Sequence, residues 1–405
     1  MAGREGLSVD SWEADSSHAA PPRRWRLVAT AVVVVALLGL FARAQAPDGA
    51  GDLLVEAGPD EVSSPRGATS PPVTAGAWNA LPPSPLPGRT HHTAVWTGRE
   101  LIVWGGVGLG GAPVADGASY DPSRRTWRTL AAAPIAARQG HVAAWTGREM
   151  LLWGGGTSAG PYADGAAYDP ATDQWRALPA APLAPRENAL AVWTGDELLV
   201  AGGYGAGGDL VDAAAYDPAA GRWRSLPAPP FERTGLIQLV WSGDYAIAWA
   251  APRIEGGATA ARYDRRTDTW AVFDPPPDIA WFTPVLVPVG RLVFAWGSVG
   301  GIPGPSAAFL LDPEALTWTP VDGPPLRWGP GTGLAIRGHS VLLYTGDSFR
   351  PGAVWTGGLH HWRALPALPR PAAGATVTWT TDRLIVWGGT DAAGAPTSDG
   401  NAWSV

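Results

Sequence analysis

The chain has 405 residues, a formal net charge of −7 and 46% apolar residues, enough for one large core or several small ones. It contains no cysteine, and its 29 basic residues are all arginine. Disulfides, cysteine-ligated metal centres, thiol nucleophiles and lysine Schiff-base or P-loop chemistry are therefore excluded. The acidic balance, with no dense arginine run in the Trp-rich part, also argues against a nucleic-acid partner. The 53 Gly and 41 Pro would suggest disorder, but the 23 Trp and regular apolar runs overrule that reading.

The first 26 residues carry both acids and arginines and read as a cytoplasmic tail. Residues 27–42 are uncharged and as a helix would rise roughly 24 Å, somewhat short of the hydrocarbon core, with Trp25 and Phe41 at the interfaces. Arg23, Arg24 and Arg26 precede this run and only Arg43 closely follows it, so the positive-inside rule sends the rest of the chain outward. The expectation is a single-pass membrane protein with an extracytoplasmic domain. Cleavage of an export signal at Ala42-Arg43-Ala44 or Ala44-Gln45-Ala46, giving a secreted protein, is the alternative. Residues 43–76, rich in Pro, Gly, Ser and acids, read as a flexible tether.

From residue 77 to 405 the chain repeats itself. The unit opens on an alternating strand, His92 to Trp96, and turns at Thr97-Gly98. A second strand, Leu101 to Trp104, ends in Gly105-Gly106. A looser loop leads to a third strand, Asp116 to Tyr120, closed by Asp121-Pro122, and a fourth strand starts at Trp127. The fourth-strand tryptophan recurs at Trp78, Trp127, Trp175, Trp223, Trp270, Trp318 and Trp362, mostly about 48 residues apart. Seven tryptophans imply seven four-stranded sheets. Trp78-Asn-Ala-Leu81 is a fourth strand with no sheet before it, and Thr376 to Val405 supplies three strands and stops. Joined, they complete one sheet and remove the open edges that threaten a linear array.

These units, GREL-IVWGG, YDP and W-R-x-L-P-x-x-P, resemble kelch repeats, the motif shared by kelch proteins and the central propeller of galactose oxidase. The resemblance implies an all-β fold, a seven-bladed kelch-type β-propeller closed by its N- and C-terminal strands. Galactose oxidase chemistry needs a tyrosine cross-linked to cysteine, which this chain cannot form, so copper oxidation is excluded and no cofactor or metal is expected. Kelch-type sialic acid mutarotases offer a second precedent, in which an acid and a base near the pore act on an acidic sugar. The repeated tryptophans Trp96, Trp145, Trp193 and Trp241 read as core between sheets rather than as sugar platforms. Asp116, Asp164 and Asp399 read as strand-entry turns.

Loop lengths separate the two ends of the fold. The turns after the first and third strands are short, whereas the loops after the second strand, 107–115, 157–163 and 204–210, are long. Binding residues gather on long loops held by a rigid scaffold. The connectors at that end carry Arg89, His91, His92, Arg138, His141, Arg186, Glu187, Asn188, Glu232, Arg233, Arg327 and Arg370. A ring of guanidinium groups there would suit a carboxylate, sulfate or acidic sugar, and the competing reading ties each arginine to its own sheet. His360 and His361 read as exposed strand-end residues. The expected function is a non-catalytic protein- or glycan-binding scaffold at the cell membrane. The alternative is a sugar mutarotase or epimerase with Glu187 or Glu232 as acid or base. The lysine-free, Ala- and Arg-rich usage suggests a bacterial source.

Overall fold

The computed structural model describes residues 77–231, 236–250, 259–276, 284–298, 306–324, 332–337, 340–345, 353–356, 362–364, 369, 374–391 and 393–404. The expected tail, membrane segment at 27–42 and tether at 43–76 lie outside the described residues. Among the described residues no helix is long and apolar enough to cross a membrane.

The strands pair in chain order into antiparallel sheets. Sheet 1 comprises Thr93–Trp96, Leu101–Trp104, Gly117–Asp121 and Thr126–Thr129. Sheet 2 comprises Gln139–Trp145, Met150–Thr157, Gly165–Asp169 and Gln174–Ala177, with Gly160–Pro161 added to the second strand. Sheet 3 is Leu190–Trp193, Leu198–Ala201, Ala213–Asp217 and Arg222–Leu226, and sheet 4 is Leu236–Ser242, Tyr245–Ala250, Thr259–Asp264 and Thr269–Phe273. Sheet 5 is Val285–Val289, Leu292–Ser298, Ser306–Asp312 and Thr317–Val321. Sheet 6 is Thr332–Arg337, Ser340–Thr345, Ala353–Thr356 and Trp362–Ala364. Sheet 7 takes Thr376–Trp379, Arg383–Trp387 and Gly400–Ser404 from the C-terminus and Trp78–Ala80 from the start of the described chain. The first strands of consecutive sheets touch in turn, and that of sheet 7 touches that of sheet 1, so the sheets radiate around a closed ring. The fold is an all-β propeller.

The sequence dictates each local turn. Thr97 accepts from the Arg99 and Glu100 amides through its hydroxyl, Thr146 does the same in its sheet and Thr194 accepts from Glu197, closing the first hairpin tightly. Asp121 caps the turn after the third strand by accepting from the Ser123 and Arg124 amides, and Asp217 and Asp312 repeat the device. The fourth residue after that aspartate is always left-handed: Arg125, Asp173, Gly221, Asp268 and Leu316 have φ between 54° and 64°. This places the fourth strand in register with the third.

Packing is wedge by wedge. One cluster joins Trp387 and Ala402 of sheet 7 to Trp96, Val103 and Tyr120 of sheet 1, and the next joins Trp104 and Ile102 to Leu152 and Tyr168 of sheet 2. The inner strands present apolar residues on both faces, so second strands such as Leu101–Trp104 are buried throughout. The fourth-strand tryptophans add a latch. The indole N–H of Trp127 donates to Pro82 O at 3.1 Å, that of Trp175 to Ala131 O at 2.9 Å and that of Trp223 to Pro179 O at 3.1 Å. Trp270, Trp318 and Trp362 repeat this onto Pro227, Asp274 and Asp322. Each indole thus grips the stretch leaving the preceding sheet.

The seam pairs Trp78 with Trp403 and Ala80 with Asn401, and the Leu81 amide donates to Gly400 O at 2.9 Å. Trp403 is 1% exposed. Trp403→Ala should therefore lower unfolding free energy by about 3–5 kcal/mol, measured by urea denaturation. A loss under about 1 kcal/mol would show that the seam contributes little.

Candidate functional site at the long-loop end

Arg89, Arg138 and Arg186 lie where the connectors enter sheets 1, 2 and 3, and each is 0% exposed. Their guanidinium groups face inward. Arg138 Nε donates to Ala136 O at 2.9 Å, and Nη1 donates to Gly154 O at 3.0 Å and to Asp164 Oδ1 at 2.8 Å, with Nη2 on Asp164 Oδ2 at 3.2 Å. Arg89 makes the same set with Pro87, Gly105 and Asp116. Arg186 reaches Ala184 and Gly202 in the same way but meets Asp212 through Nη2 alone, which donates to Oδ2 at 2.9 Å. The main chain of each arginine reaches backward. Arg138 O accepts from the Gly106 amide of sheet 1 at 3.0 Å, Arg186 O from Gly155 of sheet 2 at 2.9 Å, and Arg89 O from Gly389 of sheet 7 at 3.0 Å. One residue thus pins the loop end of its own sheet with its side chain and the neighbouring sheet with its backbone.

Of the two readings of these arginines, the geometry in these three sheets is that of the tie to the sheet, not of a ring of guanidinium groups open to a ligand. A buried guanidinium is tolerated only when its charge and donors are met, and here carbonyls and a bidentate carboxylate meet them. The group facing solvent is the aspartate, whose side chain is 53%, 56% and 49% exposed at Asp116, Asp164 and Asp212. Asp116 and Asp164, expected as simple strand-entry turns, and Asp212 in sheet 3 are the counter-charges. In sheet 2 the next residue is a close-fitting glycine, since a Cβ on Gly165 would lie 2.3 Å from Leu152 O, whereas sheet 3 has Ala213 there.

The two histidines are also internal. His92 and His141 are 2% and 1% exposed. His141 Nε2 lies 2.8 Å from Thr93 Oγ1 of sheet 1, and His92 Nε2 lies 3.1 Å from Thr376 Oγ1 of sheet 7. Each ring stands edge-on to a tryptophan of the preceding sheet, Trp104 at 5.1 Å and Trp387 at 5.0 Å. A Cβ on Gly105 would lie 2.8 Å from His141 Cε1, so the first glycine of the pair is the seat of this ring. Burial, followed by the charge of the adjacent arginine, lowers both imidazole pKa values to about 3 and keeps the rings neutral.

His91, Gly140 and Asn188 are equivalent positions two residues after the arginine, with φ of 56°, 63° and 53°. Their common feature is a left-handed backbone, which glycine and asparagine adopt most readily. Asn188 is 8% exposed and its amide donates to Gly140 O at 2.7 Å. His91 is half-buried, with Nδ1 2.9 Å from Thr90 Oγ1 and a pKa lowered by burial. Glu187, half-buried, is held by reciprocal backbone bonds with Tyr204 at 2.8 and 3.0 Å. Glu232, Arg233, Arg327 and Arg370, like His360 and His361, lie outside the described residues.

Facing solvent are the loops between second and third strands. They are stiffened locally: Val107–Gly108 pairs with Arg89–Thr90, and Tyr204–Gly205 pairs with Gly208–Asp209. Leu109 is 63% exposed on a turn whose Gly110 and Gly111 have φ of 88° and 79°. Tyr162 covers Arg138, with the guanidinium carbon 4.5 Å from its ring centre. Among the described residues no group of three or more His, Asp or Glu side chains could hold a metal.

The sheet ring and its repeated internal ties define a β-propeller that carries its variable side chains on loops at one end. Residues 73–247 match the family model described as the KLHDC2/KLHL20/DRC7 Kelch-repeats domain. The repeats over that stretch, somewhat under half of the chain, are kelch repeats, and the chain as described is an all-β propeller. No curated protein matches the chain at a significant level.

Arg138→Ala should cost about 1–3 kcal/mol, because it leaves buried carbonyls without a donor. Arg138→Lys should recover only part of that, since one ammonium cannot span both carboxylate oxygens. Urea unfolding checks both, and an unchanged midpoint for the alanine variant would overturn the pinning role. The histidines set a pH dependence. Between about 6.5 and about 3 the unfolded chain takes up protons that the folded chain refuses, so stability is complete above 6.5 and falls as pH drops. Urea midpoints should decline from pH 7 to pH 4, and His141→Gln should flatten that decline.

Proposed function

We propose that this protein is a protein-binding scaffold, a seven-bladed propeller displayed outside the cytoplasmic membrane on a helix spanning 27–42, and that its partner docks on the long-loop end. The supporting observation is a contrast between constant anchors and variable loops. In sheets 1, 2 and 3 the arginine, the glycine pair and the aspartate recur with the same hydrogen bonds. The loops sprung from those anchors, 107–115, 157–163 and 204–210, share glycines and a backbone tie to the glycine pair, but differ in the side chains they carry: Leu109 and Val114 in the first, Tyr162 in the second, Tyr204, Asp209 and Leu210 in the third. A fixed frame presenting dissimilar loops is the arrangement by which a scaffold selects a partner without altering its fold. Kelch repeats point the same way, toward a protein ligand. The buried arginines remove the argument for an anionic sugar at sheets 1–3, so a protein surface is the better reading.

A photo-crosslinking residue placed at Leu109 in the producing cells tests this. The expected result is a discrete protein adduct, with none from the same residue placed at Arg124 on the opposite end. Equal labelling at both positions, or glycan adducts alone, would overturn it. Mass spectrometry of the mature N-terminus tests the anchor: a chain starting at Gln45 or Pro47 would mean a cleaved signal and a secreted protein.

A further inference from the structure

Each sheet leaves its fourth strand at the perimeter with one side unpaired, and such an edge can template another strand. In sheets 1–3 charge guards the edge. Thr126–Thr129 carries Arg128, Gln174–Ala177 carries Arg176, and Arg222–Leu226 carries Arg222 and Arg224. Arg128 donates to the Tyr168 hydroxyl and to Asp173 of sheet 2, each at 3.0 Å. Arg176 grips Glu149 with two bonds of 3.0 and 2.6 Å and reaches the Tyr216 hydroxyl of sheet 3 at 3.1 Å. Arg224 grips Glu197 likewise and reaches Asp268 of sheet 4. The edge of sheet 5, Thr317–Val321, contains Pro320, which has no N–H to offer. Trp362–Ala364 and Trp78–Ala80 are only three residues long.

Sheet 4 has no such guard. Its edge, Thr269–Phe273, reads Thr-Trp-Ala-Val-Phe, a segment of high β-propensity with neither charge nor proline. The register shows why. In sheet 3, Trp223 opposes Tyr216 and Arg224 opposes Ala215, whereas in sheet 4 Trp270 opposes Tyr263 and Ala271 opposes Arg262. The arginine has crossed to the third strand. From there it still ties neighbouring sheets, donating to Pro313 O and Glu314 O of sheet 5 at 2.9 Å each while lying 4.7 Å from the Tyr245 ring centre. The tie is kept and the edge is bared. Val272 on that edge is 58% exposed, and among the described residues Leu109 is the other large apolar side chain so placed.

We propose that Thr269–Phe273 accepts an extended segment of a partner protein as a fifth strand of sheet 4, apolar at its centre and cationic at both ends. Charge selects this occupant over a second copy of the chain. The strand is bracketed by Asp268 and Asp274, both exposed. Asp268 Oδ1 holds the Tyr263 hydroxyl and Arg224, and Arg265 and Arg266 precede it on the incoming turn, with Arg265 engaged by Asp196 and Arg266 by Asp264. Antiparallel pairing of two copies centred on Ala271 would oppose Asp268 to Asp274 at both ends, and like charges directly opposite destabilise a pair. A segment with arginine or lysine at each end meets those carboxylates instead. Main-chain hydrogen bonds would supply affinity and the flanking charges would set the register.

The test uses the full-length protein and a fluorescent peptide, Arg-Thr-Val-Thr-Val-Thr-Arg, with a version in which both arginines are glutamate. The arginine peptide should bind and slow hydrogen exchange of the 269–273 amides. Val272→Arg, which puts a charge on the exposed face of this edge, should weaken it at least tenfold. Leu109→Arg should leave it unchanged, which separates this site from the long-loop end. Equal binding of the glutamate peptide, indifference to Val272→Arg, or no binding at millimolar peptide would each overturn the proposal. So would a dimer of the free protein that Val272→Arg dissolves, since the edge would then belong to a second copy.

Discussion

A guanidinium without solvent must be paid for in hydrogen bonds, and the propeller converts that requirement into its architecture. Arg138 is satisfied only when the Gly154 carbonyl, the Asp164 carboxylate and the Ala136 carbonyl converge on it. Those groups come from the connector, the second strand and the entry to the third strand, so meeting one side chain fixes the loop end of an entire sheet. The Arg138 carbonyl then accepts from Gly106, which fixes the sheet before it. The glycine pair, the seat of His141 and the stiffness of the long loops all follow from this convergence. At the other end of the ring the threonine and aspartate turns act locally, so the two ends are held by different physics. One depends on long-range polar pairing, the other on neighbours two or three residues apart.

The strand plan was legible because it is written in short-range signals. Thr97-Gly98, Gly105-Gly106 and Asp121-Pro122 each report a turn, and Trp127 marks the following strand in every unit. The pairing of Trp78 with Trp403 could be inferred because a fourth strand without a sheet and a sheet without a fourth strand complete each other. The site was harder to read. An arginine repeated at a loop end looks the same in sequence whether it faces a ligand or the interior. The deciding fact is its partner, 27 residues away for Arg89 and 26 for Arg138 and Arg186. That nearly constant spacing to an aspartate was present in the sequence, but the aspartates at 116 and 164 looked fully explained as turn residues. Asn188 and His91 are hard to read for another reason. Polar side chains at a loop suggest chemistry, while their shared property is backbone conformation, to which composition is blind.

The contrast between sheets 3 and 4 shows how a repeat can keep a structural duty while releasing a surface. Arg224 both ties its sheet to the next and occupies an edge strand. Arg262 performs the first task from one strand further in and leaves the second undone. A cross-strand exchange of this kind conserves the inter-sheet contact, so it costs the ring little and changes only what the perimeter offers. Repeat proteins are well suited to such changes because each unit answers chiefly to its immediate neighbours.

The seam has a consequence for biosynthesis. Sheet 7 needs Gly400–Ser404 to receive Trp78–Ala80, so the first described strand waits for one more than 300 residues further on. While the chain emerges, sheets 1–6 can assemble by local hairpins, but the arc they form keeps an uncovered apolar face at each end until Gly400–Ser404 has been made. Ring closure is therefore a late step. A chain lacking Gly400–Ser404 would remain an open arc, however well its first six sheets had folded.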